Sequence, residues 1–301
     1  MSSTAPIALF VYKRLWHTRQ TIESLAKNQL AGDSKLFIFS DGAKSFEDEK
    51  AVNEVREYIK EIKGFKNVSI IERGKNLGLA DSIIDGVTTV INRFNKIIVL
   101  EDDMVLSKHF LRYMNEALDM YENADDVISI HSYFYPVKTK LPETFFLKGA
   151  DCWGWATWKI SWELFESDAQ VLLNQIKEKK LEFEFDYNGT TNNFKMLKNQ
   201  ISRKVDSWAI RWYASAFLNN KLTLYPGRSL LNNIGADGAG THTKKTKIYK
   251  TPLAGKPVLL EKIPVEENPK AKKAVENFFK KARPNFIKRY YKITRHKFNS
   301  K

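Results

Sequence analysis

Three carboxylates in a row, Glu101, Asp102 and Asp103, follow the apolar residues 97–100 in "NKIIVLEDDMVLS". Neighbouring carboxylates repel, and at the end of a buried strand they are costly unless something compensates their charge. Their oxygens suit a hard divalent cation, Mg2+ or Mn2+. Mg2+ commonly takes one or two protein carboxylates and completes its shell from substrate phosphates. The chemistry this triplet suggests is therefore a cation clamping a diphosphate. A solvated strand end that caps the next helix is the competing reading, but Ser107 is by itself a fair N-cap for "KHFLRYM".

The elements that must position these acids are legible from periodicity. Near-continuous apolar strands are expected at 6–12, 35–42, 67–73, 96–102 and 126–132, separated by amphipathic helices at 17–29, 47–62, 79–94 and 108–122. Strand–helix alternation with unbroken apolar strands predicts an α/β fold: a mostly parallel sheet with helices on both faces. Ligands of such sheets sit at the carboxyl ends of strands. Asp41, in the "SDG" that closes the second strand, and the Glu101–Asp103 cluster both lie there, which predicts one shared crevice.

Composition narrows the setting. The 301 residues suffice for one large domain with an extension, and 43% hydrophobic content suits a filled core. The one cysteine, Cys152, allows no intrachain disulfide and fits a reducing compartment. No apolar run is long enough to span a membrane, and "MSSTAPIALFVYKR" lacks the basic lead and long apolar core of a signal peptide. A cytoplasmic protein is expected. The net charge of +14 is uneven: residues 270–301 carry 12 Lys/Arg and one acid, Glu276, so the remainder is nearly balanced. Beyond residue 133 the alternation gives way to aromatic and turn-rich segments, with six of the seven tryptophans between 153 and 212.

Six short motifs occur in order over roughly residues 5–243: "VYKR", "SDG", "RGKNLGLADSI", "LEDDMVLS", "WGWATW" and "DSWAIRW". In this order the chain resembles nucleotide-sugar glycosyltransferases of the GT-A fold. "LEDDMVLSKHFLRYM" is similar to the Glu-Asp-Asp segment of the N-acetylglucosaminyltransferase I family, and the chain also resembles bacterial family-two polysaccharide glycosyltransferases. The resemblance implies a Rossmann-like GT-A sheet over residues 1–250, divided into a nucleotide-binding half (1–132) and an acceptor and sugar half (133–250). A linker (251–269) and a basic amphipathic tail (270–301) follow.

Carried over residue by residue, the resemblance implies that Arg14 and Asp41 hold the nucleotide. Glu101 and Asp102 would bind ribose and sugar, and Asp103 would coordinate Mn2+ or Mg2+. Trp155 would stand beside the donor sugar. His242, in the glycine-rich "NNIGADGAGTH", would meet a phosphate or the metal. An inverting transfer needs a carboxylate to take the acceptor's proton. Asp206 in "KVDSWAIRW" is the candidate, with a plain N-cap as its competing role. The family pattern has a second acid where this chain has Ser207. A nucleotide-sugar donor, UDP-N-acetylglucosamine in the first instance, and a saccharide or lipid-linked saccharide acceptor are the implied partners.

In the tail, Ala271, Ala274, Val275, Phe278, Phe279 and Ala282 fall on one helical face, with Lys and Arg elsewhere. An anionic membrane surface is the favoured partner, which would place the protein peripherally on the inner face of the cell membrane. Docking on the body is the second reading, and nucleic acid is not the expected partner. Two other functions compete. A sugar nucleotidyltransferase shares the sheet, but "FVYKRLWHT" lacks the glycine-rich loop such enzymes place after the first strand. A non-enzymatic binder acting through the tail leaves the carboxylates unexplained.

Overall fold

The computed structural model describes residues 3–237 and 246–282. The first half alternates as expected: β1 (Ile7–Val11), α1 (Leu15–Ala26), β2 (Lys35–Ser40), α2 (Phe46–Lys60), β3 (Asn67–Glu72), α3 (Leu79–Phe94) and β4 (Lys96–Glu101). A short β5 (Met104–Leu106), α4 (Phe110–Met120) and β6 (Val127–His131) follow. The second half contains β7 (Thr144–Lys148), β8 (Trp155–Trp158), α5 (Lys159–Trp162), α6 (Ala169–Glu178), α7 (Glu182–Phe185), α8 (Asn193–Ile201), α9 (Trp208–Leu218), β9 (Leu222–Pro226), β10 (Leu231–Asn233) and α10 (Pro269–Ala282).

Eight strands form one sheet in the order β3-β2-β1-β4-β8-β6-β9-β7. The pairs β3–β2, β2–β1, β1–β4 and β6–β9 are parallel, whereas β8 and β7 run antiparallel to their neighbours. This is the mostly parallel α/β sheet with flanking helices that the sequence predicts. Alternate residues serve opposite faces, as the strand period of two requires. Ile7, Leu9, Val11, Ile98 and Leu100 pack with α1, α2 and α4. Ala8, Phe10, Ile97 and Val99 pack with α3 and α9 on the other side. Burial on both faces is why these strands read as unbroken apolar runs.

A separate two-stranded antiparallel sheet, β10–β5, pairs Leu231 with Leu106 and Asn233 with Met104. It carries the segment after β10 back over the end of β4. The stretch expected to be a linker is extended but packed: Ala254 N–H donates to Ser229 O at 2.8 Å and Asn268 N–H to Phe146 O at 2.9 Å. Phe146 and Glu267 form a parallel bridge, so the strap covers the β7 edge of the sheet.

The apolar stripe of the tail docks on the body. Ala271 and Val275 of α10 are fully buried in the core formed with Phe145, Phe185 and Tyr213. That face is therefore withdrawn from any membrane; periodicity showed the stripe but not what covers it. The remainder of the tail, from residue 283, lies outside the described residues. No helix among the described residues is long and apolar enough to cross a membrane.

Candidate active site

Because β1 lies between β2 and β4 in parallel register, the segments after all three strands emerge at one edge of the sheet. Thr21 of α1 fixes the turn after β4: its hydroxyl donates to Asp102 O at 2.7 Å and accepts from Met104 N–H at 3.0 Å. The turn then places Asp102 and Asp103 against Arg14. Arg14 Nε donates to Asp102 Oδ2 at 3.2 Å, one Nη contacts Asp102 Oδ1, and the same Nη donates to Asp103 Oδ2 at 2.8 Å. The resemblance gave Arg14 to the nucleotide; here its charge is spent within the cluster, because two partly buried carboxylates lie within its reach.

The roof of the cluster comes from β10 and the residues after it. Asn233 Nδ2 donates to Asp103 Oδ1 at 3.1 Å, and Ile234 N–H donates to Asp103 O at 2.8 Å. Gly235 approaches so closely that an added Cβ would stand 2.0 Å from Asp103 Oδ2. Beside it, His17 Nε2 is 3.0 Å from Asp237 Oδ2. Asn233, Gly235, His17 and Asp237 were not singled out individually from the sequence, although the "NNIGADG" segment was.

Charge in this corner is not balanced locally. Burial, and then repulsion from Asp103 and Asp102, pushes the Glu101 carboxyl well up from its ordinary range. Burial also raises Asp102, outweighing the attraction of Arg14. The Glu101 side chain has no hydrogen-bond partner among the described residues and is mostly, though not fully, buried.

Asp41 is placed differently from expectation. Its Oδ1 accepts from the backbone N–H of Gly42 and Leu77, and Oδ2 from Gly78 N–H and Asn76 Nδ2, all at 2.9–3.0 Å. Its four acceptor directions tie the loop between β3 and α3 to the end of β2, and none is left for a base. Trp155 is also corrected: it is fully buried, with rings of Trp208 and Trp212 at 5.4 and 5.6 Å. The cause is topological. β8 inserts between β4 and β6 in mid-sheet, so Trp155 points into the core under α9. Trp153, before the left-handed Gly154 (φ +61), is a half-buried ring, 4.9 Å from Tyr133 and 5.5 Å from Tyr249.

Asp206 does not cap α9. Ser207 is the N-cap, its hydroxyl accepting from Ile210 N–H at 3.3 Å. The Asp206 side chain is 60% exposed, with Oδ1 3.4 Å from Arg211 Nη2 and from Gln200 Nε2. No contact joins it to the Arg14 cluster among the described residues. His242 lies outside the described residues.

A divalent cation was expected at Asp103. Among the described residues no three His, Cys, Asp or Glu side chains converge at metal-binding spacing. The donors nevertheless fit a hard cation in kind. They are oxygens, and two of the three carboxyl groups, Asp102 and Asp103, share one guanidinium while Glu101 is unpaired among the described residues. They leave most of the shell to be filled by phosphate and water, which is how Mg2+ is usually held.

No family profile matches the chain, and no curated relative matches it. Among solved structures, it is similar to a mannosyltransferase from Pyrobaculum calidifontis in complex with GDP-Man and Mn2+. That match has 10% identity over 44% of this chain and 35% of the other, at TM-score 0.32. TarS from S. aureus matches at 9% identity over 78% of this chain and 37% of the other, TM-score 0.40. A UDP-glucose pyrophosphorylase complexed with UDP-glucose matches at 12% identity over 74% of this chain and 90% of the other, TM-score 0.35. The chain thus spans about a third of the length of the first two proteins, and the superpositions are loose.

Proposed function

We propose that the chain is a metal-dependent glycosyltransferase, inverting at the anomeric carbon. It would move a sugar from a nucleotide-sugar donor to a hydroxyl of a saccharide or lipid-linked saccharide, in the synthesis of a bacterial surface polysaccharide. UDP-sugars, UDP-N-acetylglucosamine first, are the favoured donors. The observation that carries this reading is the Glu101–Asp102–Asp103 turn at the carboxyl end of β4, gripped by Arg14 and roofed by Asn233 and Gly235.

A donor diphosphate brings negative charge of its own, so it cannot enter this corner without a cation. Asp103 would hold the Mn2+ or Mg2+, with Glu101 as its nearest uncommitted carboxylate. When bound, the ion would act as a Lewis acid for the departing nucleoside diphosphate. Arg14 would then have Asp102 as its remaining partner, keeping that carboxylate fixed toward the sugar. Asp206 is the proposed proton acceptor. It is exposed, and Ser207 relieves it of the capping role. Attack by the acceptor oxygen forms the new C1–O bond, the bond to phosphate breaks with its electron pair, and the hydroxyl proton passes to Asp206.

The test is release of nucleoside diphosphate from a panel of UDP- and GDP-sugars, with Mn2+ or with a chelator. The proposal expects turnover of one donor, abolished by chelator and by Asp103→Asn. Equal release with and without chelator would contradict it.

A further inference from the structure

The segment "GADCWG" crosses from β7 to β8 in a conformation only glycine permits at both ends. Gly149 has φ +92 and Gly154 φ +61. A Cβ on Gly149 would meet the Tyr213 ring at 2.4 Å, and one on Gly154 would meet Ser132 Oγ at 2.6 Å. Thr223 Oγ1 donates to Gly149 O, and Ser132 Oγ to Gly154 O, each at 2.7 Å. The loop is thus held rigidly, and the three residues it presents are Asp151, Cys152 and Trp153.

Asp151 Oδ2 accepts from two tyrosine hydroxyls, Tyr135 and Tyr225, each at 3.1 Å. Its Oδ1 has no hydrogen-bond partner among the described residues, and Asp151 is half-buried rather than sealed. Half-buried aromatic rings stand close by in unbroken succession. Tyr135 lies 5.1 Å from Phe278, Phe278 lies 5.8 Å from Tyr249, and Tyr249 lies 5.5 Å from Trp153. Phe278 belongs to α10, so the docked helix completes this wall. The loop ends beside the donor corner: a Cβ on Gly154 would stand 2.4 Å from Leu231 of β10 and 3.6 Å from Leu100, the residue before Glu101.

A carboxylate with one oxygen fixed and one open, beside rings that are neither buried nor scattered, has the chemistry of a sugar subsite. The open oxygen accepts hydroxyl hydrogen bonds, and ring faces pack on the C–H face of a pyranose. A lipid chain would leave Asp151 without a donor, at the cost of an unsatisfied polar group. We infer that Asp151, Tyr135, Trp153, Tyr249 and Phe278 form the subsite that receives the acceptor saccharide. The assignment of the sugar as acceptor rests on the glycosyltransferase reading above.

The experiment is saturation-transfer NMR of full-length protein with methyl glycosides of glucose, galactose, mannose and N-acetylglucosamine, without nucleotide. Wild type, Asp151→Asn, Phe278→Ala and Asp103→Asn are compared, each with its melting temperature as a check on folding. The inference predicts transfer to at least one glycoside in wild type. It predicts an at least fivefold loss in Asp151→Asn and Phe278→Ala, and retention in Asp103→Asn. No transfer to any glycoside in wild type, or undiminished transfer in folded Asp151→Asn and Phe278→Ala, overturns it. A parallel titration with UDP and GDP plus Mn2+ separates the two readings. Nucleotide binding without glycoside binding removes the subsite and leaves the donor site standing. Glycoside binding without nucleotide binding does the reverse.

Discussion

The Arg14 guanidinium lies along the Asp102 carboxylate, with Nε 3.2 Å from Oδ2, and reaches on to Asp103 Oδ2 at 2.8 Å. The two partners are separated by 88 residues in the chain and meet because β1 and β4 are adjacent and parallel. In the absence of a metal, Arg14 is the cation that allows Asp102 and Asp103 to be buried together. Removing it should leave two partly buried carboxylates opposed. Arg14→Gln is expected to lower stability by roughly 2–4 kcal/mol, toward the lower end for a buried pair because Arg14 is partly exposed. Mn2+ should restore more of the loss in this variant than it adds to wild type, read from melting temperatures with metal and with chelator.

Gly235→Ala tests the roof without replacing a charged residue. The new methyl would collide with Asp103 Oδ2 and displace it. Gly235 does not hold a left-handed backbone, so no conformational penalty accompanies the change. Transfer activity should fall at least tenfold, on the order of 1.4 kcal/mol of transition-state stabilisation. The melting temperature should fall less than in Arg14→Gln, because Arg14 keeps Asp102 as a partner.

Asp206→Asn should reduce kcat by about 10²–10⁴-fold, the usual contribution of a general base. Donor affinity should be unchanged, since among the described residues no contact links Asp206 to the Arg14 cluster. Single-turnover kinetics beside a donor titration would measure both.

His131 supplies a pH dependence independent of the site. Burial lowers its folded pKa to about 3, and neither ring nitrogen has a hydrogen-bond partner among the described residues. Its unfolded value is near 6.5, so below that pH the unfolded chain takes up a proton that the folded chain refuses. This group's contribution to stability is therefore complete above about pH 6.5 and is lost as pH falls toward 3, by up to about 1.4 kcal/mol per pH unit. His131→Phe would keep the edge contact with Tyr225, 5.0 Å between rings. It should flatten the acid side of the stability profile, measured by urea unfolding between pH 7.5 and 4.5.

The tail can be cut at two places with opposite expectations. A chain ending at Ala282 retains α10 and should melt as the full chain does. A chain ending at Asn268 uncovers the core around Ala271 and Val275 and the rings of Tyr135 and Tyr187. Its loss should reach several kcal/mol, a large part of an ordinary domain's total of about 5–15 kcal/mol. Sedimentation of the full chain and of 1–282 with phosphatidylglycerol vesicles then tests the membrane contact expected from the sequence. Binding should require residues 283–301 and weaken with salt.

Much of the scaffold was legible because local patterns determine it. The helix over 79–94 follows from apolar period and turn residues alone, and the strands expected at 35–42 and 67–73 are found, one or two residues shorter, at Lys35–Ser40 and Asn67–Glu72. What was illegible depends on partners distant in sequence. Trp155 and Trp153 look alike in "CWGW", yet Gly154 separates one that is fully buried in the core from one that stays half-buried beside Tyr133 and Tyr249. Asp41 looked like a ligand because nothing nearby in sequence showed that Asn76, Leu77 and Gly78 would saturate it. The α10 stripe had the right period for a membrane surface and for a protein surface alike; only the packing of Val275 decides. Asp206 and Ser207 are both good caps, and the choice between them is made by the hydroxyl meeting Ile210 N–H.

The central claim is that Asp103 serves a metal-dependent nucleotide-sugar site. Calorimetric titration of UDP- and GDP-sugars into wild type and Asp103→Asn, with Mn2+ and with chelator, tests it most directly. The account predicts saturable binding of one donor class to wild type with Mn2+, lost with chelator and in Asp103→Asn. Binding that is indifferent to both the metal and Asp103, or no binding by any donor, would contradict it.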